Sequence, residues 1–124
     1  MDALIIEGTD DSPNVILDLE NNIFELSGKS LPENVVEFYQ PILDWMENYA
    51  NGPNAETKFV FKLDYFNTAS AKLILDILLR LEKLHKSGNN VFISWHYREE
   101  DEDMQDAGEG YADMIEVPFE QVGY

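Results

Sequence analysis

The chain has 124 residues, a length that suits one domain, and its 44% hydrophobic content supplies a core that excludes global disorder. A net charge of −17 makes nucleic acid and anionic membrane surfaces poor partners and favours basic proteins or cations instead. The absence of cysteine excludes disulfides, thiolate zinc sites and cysteine nucleophiles. Met1-Asp2-Ala3-Leu4 lacks the basic region and apolar stretch of a secretory signal, and no apolar run reaches the roughly 18–20 residues of a membrane span. A soluble cytoplasmic protein is the expectation.

In chain order, Leu4-Ile5-Ile6-Glu7 reads as a short strand, closed by the turn signal Asp10-Asp11-Ser12-Pro13. Val15, Leu17 and Leu19 alternate with more polar neighbours, as in a half-buried strand. Asn21-Asn22 separates them from Ile23-Phe24-Glu25-Leu26, and Asn accepts the positive φ of a tight turn, so a β-hairpin is predicted. Ser30-Leu31-Pro32-Glu33 has the form of a helix start, with Ser30 as N-cap and Glu33 completing a capping box. Val35, Val36, Tyr39, Ile42, Leu43, Met46 and Tyr49 follow at helical spacing, with Pro41 expected to kink or divide the helix before Asn51-Gly52-Pro53 ends it.

The central unit runs from the strand Phe59-Val60-Phe61-Lys62-Leu63 into a Leu/Ile-rich helix. Phe59, Phe61, Leu63 and Tyr65 are expected on one face of the strand, with Lys58, Lys62 and Asp64 opposite. The helix carries Lys72, Asp76, Arg80 and Lys83 as a narrow polar stripe bordered by Leu75 and Leu79. Those two leucines fit either the core or an exposed partner surface. Gly88 suits a left-handed helix end, and Val91-Phe92-Ile93-Ser94-Trp95 forms the next strand, giving a parallel βαβ crossover. The segment from Asp101 to about Ala112 reads as an acidic helix, and Val117-Pro118-Phe119 as a short edge strand. The expected whole is one α/β domain over residues 1–124. A mixed sheet, built from the N-terminal hairpin and the parallel βαβ unit, has its helices mainly on one face.

Between strand and helix, Asp64-Tyr65-Phe66-Asn67-Thr68-Ala69-Ser70 places hydroxyls and an amide at a helix N-terminus, where four backbone N–H groups lack helical partners. Thr68 in that position suits either of two roles, a helix cap or the carrier of a phosphate that the helix end tolerates. Asn67 can take the cap instead, leaving Thr68 in the first turn. The acidic run 99–103 has no calcium-loop pattern: a loop starting at Asp101 needs Gly at position 106 and Glu at 112, and the chain has Asp106 and Ala112. No metal or other cofactor is expected.

The order of elements, with a hydroxyl at the head of the crossover helix, resembles the STAS domain of anti-sigma-factor antagonists. More particularly, Leu63-Asp64-Tyr65-Phe66-Asn67-Thr68-Ala69-Ser70-Ala71-Lys72, Trp95-His96-Tyr97 and the acidic Glu102-Asp103-Met104 resemble the SiaC family of bacterial phosphoregulators. The resemblance extends to Val117-Pro118-Phe119-Glu120 and departs from the family at Ala69, where Ser is expected. It implies a non-enzymatic partner switch. A Ser/Thr protein kinase phosphorylates Thr68, with Ser70 the alternative hydroxyl, and a PP2C-type phosphatase reverses it; the unphosphorylated form binds and activates a diguanylate cyclase. The implied partner surface comprises Asp64, Tyr65, Phe66, Asn67, Thr68, Ser70, Lys72, Leu75 and Leu79. Rival readings are an antagonist that captures an anti-sigma factor, a carboxylate enzyme using Asp64 with Glu99 or Asp101, and an acidic nucleic-acid mimic.

Overall fold

In a computed structural model describing residues 1–124, six strands and three helices follow the apolar periodicity of the chain. The elements are β1 (Leu4–Ile6), β2 (Asn14–Asp18), β3 (Ile23–Ser30), α1 (Val35–Tyr49), β4 (Glu56–Phe66), α2 (Thr68–Lys86), β5 (Asn90–Tyr97), α3 (Glu102–Met114) and β6 (Phe119–Gly123). The strands form one mixed sheet in the order β1-β2-β3-β4-β5-β6, so the expected α/β architecture is the one observed. β1, β2 and β3 pair antiparallel, and Asn22 makes the predicted turn at φ 55°. From β3 to β6 every pairing is parallel, with α2 as the crossover between β4 and β5.

The strand registers line up the core. Leu17, Phe24, Phe59, Ile93 and Phe119 form one row across the sheet, and Val15, Leu26, Phe61 and Trp95 form the next. Most of these are almost fully buried, in a single cluster with the apolar residues of all three helices. Trp95 lies at its centre, with ring centroids 5.5 Å from Phe61 and from Tyr111 and 6.4 Å from Phe119. Its indole N–H donates to the Met104 carbonyl at 3.0 Å, which ties α3 to the sheet. The row Glu25, Val60, Ser94, Glu120 points the other way, to the face without helices.

Two local expectations are corrected. Ser30 is not a helix cap; it ends β3, wholly buried, with its hydroxyl bonded to the Tyr39 and Ser70 hydroxyls. The N-cap lies four residues later, where Asn34 Oδ1 accepts the Glu37 N–H at 3.1 Å and Asn34 Nδ2 donates to Glu37 Oε2 at 3.0 Å. Pro41 lies within an undivided α1. It sits on the exposed side of the helix, as does Glu37, whose carbonyl its missing N–H leaves free and open to solvent.

The third correction concerns Tyr65. Gly28 pairs with Leu63 but Lys29 pairs with Tyr65, so Asp64 is an extra residue, a β-bulge. One added residue reverses the alternation: Tyr65 turns to the open face and is 53% exposed, while Phe66 turns inward to lie 6.2 Å from Trp95. The acidic tail is partly neutralised within the molecule, since Glu120 lies 3.7 Å from Lys58 and Glu116 lies 3.7 Å from Lys86.

Burial pushes the Tyr39 phenol up to about 12, against weaker opposing hydrogen bonds from Ser30 and Ser70, and burial likewise pushes Tyr111 up to about 12. Both folded values lie above the ordinary value near 10, so their stabilisation is complete below about pH 10 and is lost as the pH rises through about 12. Thermal unfolding followed across that window is expected to show falling stability. Tyr39→Phe, which removes one of the two ionisations, should fall less steeply.

Candidate functional site

The head of α2 is built by Asn67. Its side-chain oxygen accepts the Ser70 N–H at 2.9 Å, and its own N–H donates to the Ser30 carbonyl at 3.0 Å. Asn67 is therefore the N-cap, and Thr68 is the first helical residue. The cap leaves the Thr68 hydroxyl unused within the chain, on an exposed side chain beside exposed Ala69. Asn67→Ala removes the cap and strands the Ser70 N–H, so it is expected to destabilise the protein by about 1–2 kcal/mol. Chemical denaturation with urea would measure this as a lower midpoint at unchanged slope.

Ser70, expected on the same surface, is fully buried. Its hydroxyl donates to the Ser30 carbonyl at 2.9 Å and accepts from the Ser30 hydroxyl at 2.9 Å. Pointing into the sheet, it anchors α2, and the folded chain presents it to neither a kinase nor a partner.

From Thr68 the helix carries Lys72, Leu75 and Leu79 at intervals of four, three and four residues, which places them on one stripe. Lys72 is exposed, Leu75 is half-buried and Leu79 is 43% exposed. Asp64 and Tyr65 lie apart from this stripe. The Asp64 carboxylate accepts from Arg98 Nη2 at 2.8 Å, and that hydrogen bond raises the Arg98 pKa. An engaged Asp64 is a poor start for a carboxylate enzyme.

Beside the stripe lies an open groove of about 460 Å³ between α2 and α3. Phe66, Ala71, Lys72 and Leu75 form one wall, and Ala107, Gly110, Tyr111 and Met114 form the other. The Tyr111 hydroxyl donates to the Ala71 carbonyl at 2.8 Å and closes the floor. Sequence reasoning missed the α3 wall because the acidity of that helix dominated its reading. The signal was present, since Met104, Ala107, Tyr111 and Met114 recur at helical spacing among the carboxylates.

Known proteins resemble this chain over nearly its whole length. Residues 6–124 match the model of the SiaC family of regulatory phosphoproteins. An uncharacterized protein of Pseudomonas aeruginosa is 31% identical over 119 residues, covering 96% of this chain and 94% of its own length. The solved structure of SiaC from Pseudomonas aeruginosa superimposes with a TM-score of 0.91 at 29% identity, covering 100% of both chains. A chain in the crystal structure of the diguanylate cyclase SiaD in complex with its activator SiaC, from the same organism, gives 0.92 at 30% identity, covering 98% of this chain and 99% of that one.

Proposed function

The chain belongs to the SiaC family of regulatory phosphoproteins, and from that premise we propose that it is a non-enzymatic cytoplasmic partner switch controlled at Thr68. Unphosphorylated, it binds and activates a diguanylate cyclase through the α2 stripe. A Ser/Thr protein kinase adds a phosphate to Thr68 and so turns binding off; a PP2C-type phosphatase restores it.

The observation that carries this reading is the division of labour at the head of α2. Asn67 does the capping, so the adjacent Thr68 hydroxyl is exposed and free to be modified. A phosphate there meets the positive end of the helix dipole and leaves the fold intact, while adding close to −2 charge to the surface. The similarity to the SiaC chain crystallised with a diguanylate cyclase supports the choice of target.

The test is phosphosite mapping by intact mass and peptide analysis of protein from its native cell, joined to a cyclase activation assay. The phosphate is expected on Thr68 and absent from Thr68→Ala, and only the unphosphorylated form should activate. A phosphate found elsewhere, or equal activation by both forms, would overturn the reading.

A further inference from the structure

The groove between α2 and α3 adjoins the Thr68 stripe and shares Lys72 and Leu75 with it. Its lining is otherwise almost wholly apolar, and Met114 at its far end is 62% exposed. Folding alone leaves such a surface uncovered, next to the residue proposed to govern docking.

What surrounds the groove selects its occupant. On α3, Asp103, Asp106 and Asp113 are exposed and lie within one turn of the wall residues Ala107, Gly110 and Met114. That helix has no lysine or arginine, and Lys72 is the single cation in the lining. An apolar slot beside an acidic rim fits an apolar anchor with positive charge next to it. It repels acidic segments and a second copy of this chain, which carries −17 itself.

We propose that the α2–α3 groove is the anchor pocket of the docking surface, and that it takes a large aliphatic or aromatic side chain from a partner segment flanked by Lys or Arg. The inference rests on the reading of the Thr68 stripe as the cyclase-binding face, and deepens it by assigning α3 half of that face.

Gly110 makes the test clean. A Cβ built at Gly110 meets nothing within 4 Å, so Gly110→Leu fills the groove from inside without touching the core. The change also removes a glycine from a helix, which favours folding. The probe is a purified diguanylate cyclase of the same organism, titrated against wild type, Gly110→Leu, Met114→Glu and Thr68→Glu, at low and at high salt.

Gly110→Leu and Met114→Glu are each expected to weaken binding on the order of 10- to 100-fold, the factor for one buried aliphatic side chain. Wild-type affinity should fall with salt, because the Debye length shortens from about 10 Å at 0.1 M to about 3 Å at 1 M. If Thr68→Glu weakens binding while Gly110→Leu binds like wild type, the groove assignment is wrong and the Thr68 reading stands. Salt-independent binding removes the basic flank from the proposal and overturns it as stated. Concentration-dependent self-association that Gly110→Leu abolishes makes the occupant a second copy, which also overturns it. If no cyclase binds wild type at either salt, the Thr68 reading fails and takes the groove with it.

Discussion

Gly108→Val is expected to destabilise the protein by about 3 kcal/mol or more and to lower its unfolding temperature by roughly 10 °C, read by circular dichroism on heating. The reason lies under α3. A Cβ at Gly108 would collide with Trp95 Cδ1 and stand 2.7 Å from Trp95 Nε1 and 2.8 Å from Gln121 Oε1. The indole has nowhere to go, being wedged among Phe61, Phe66, Tyr111 and Phe119 and held by its bond to the Met104 carbonyl. Close packing leaves the helix as the part that must lift away. Even Gly108→Ala should lose stability, although alanine gains about 1 kcal/mol in helix propensity. Two residues along, where a Cβ meets open space, the same gain is uncompensated by any clash. An unfolding temperature for Gly108→Val within a degree or two of wild type would contradict the seating of α3 on Trp95. That seating matters beyond stability, because α3 forms one wall of the groove next to Thr68.

The parts of this fold legible in the sequence are those fixed by near neighbours. The hairpin turn at Asn22, the crossover helix ended by Gly88 with φ 99°, and the alternation of Phe59, Phe61 and Leu63 each depend on residues a few positions apart. Thr68 at the helix head was legible for the same reason, together with Asn67 as the competing cap. The misreadings share the opposite cause. Ser30 followed by Pro32 and Glu33 satisfies a local capping pattern, yet its hydroxyl is claimed by Tyr39 and Ser70, nine and forty residues away. Ser70 is hidden by that same long-range bond. The bulge at Asp64 is defined only by its pairing with Gly28 and Lys29 on a neighbouring strand, so no pattern within β4 reveals that Tyr65 and Phe66 have exchanged faces. The groove belongs to this class too, since neither α2 nor α3 forms it alone.

Thr68→Glu should reduce affinity for the cyclase by roughly 10- to 100-fold while leaving the unfolding temperature nearly unchanged. On the folded chain the added carboxylate is close to neutral or helpful. It breaks no hydrogen bond, and it stands at the positive end of α2, where an acid contributes about 0.3–1 kcal/mol. Lys72, one turn away on the same stripe, offers an i,i+4 pairing of only about 0.2–0.5 kcal/mol, too little to neutralise a charge that a partner must desolvate. At an interface the balance reverses. Burying an uncompensated charge against apolar contacts costs several kcal/mol, and about 4 kcal/mol for a phosphate corresponds to roughly a thousandfold in affinity. Glutamate carries about half that charge and a smaller head, which sets the lesser figure. Thr68→Ala, which removes the hydroxyl without adding charge, should bind like wild type and resist the kinase. Titration calorimetry of the three forms separates the effects: equal affinities for Glu and Thr at position 68 would place the docking surface elsewhere on the molecule. A matching loss in Thr68→Ala would make the hydroxyl itself the contact, and charge would no longer be the switch.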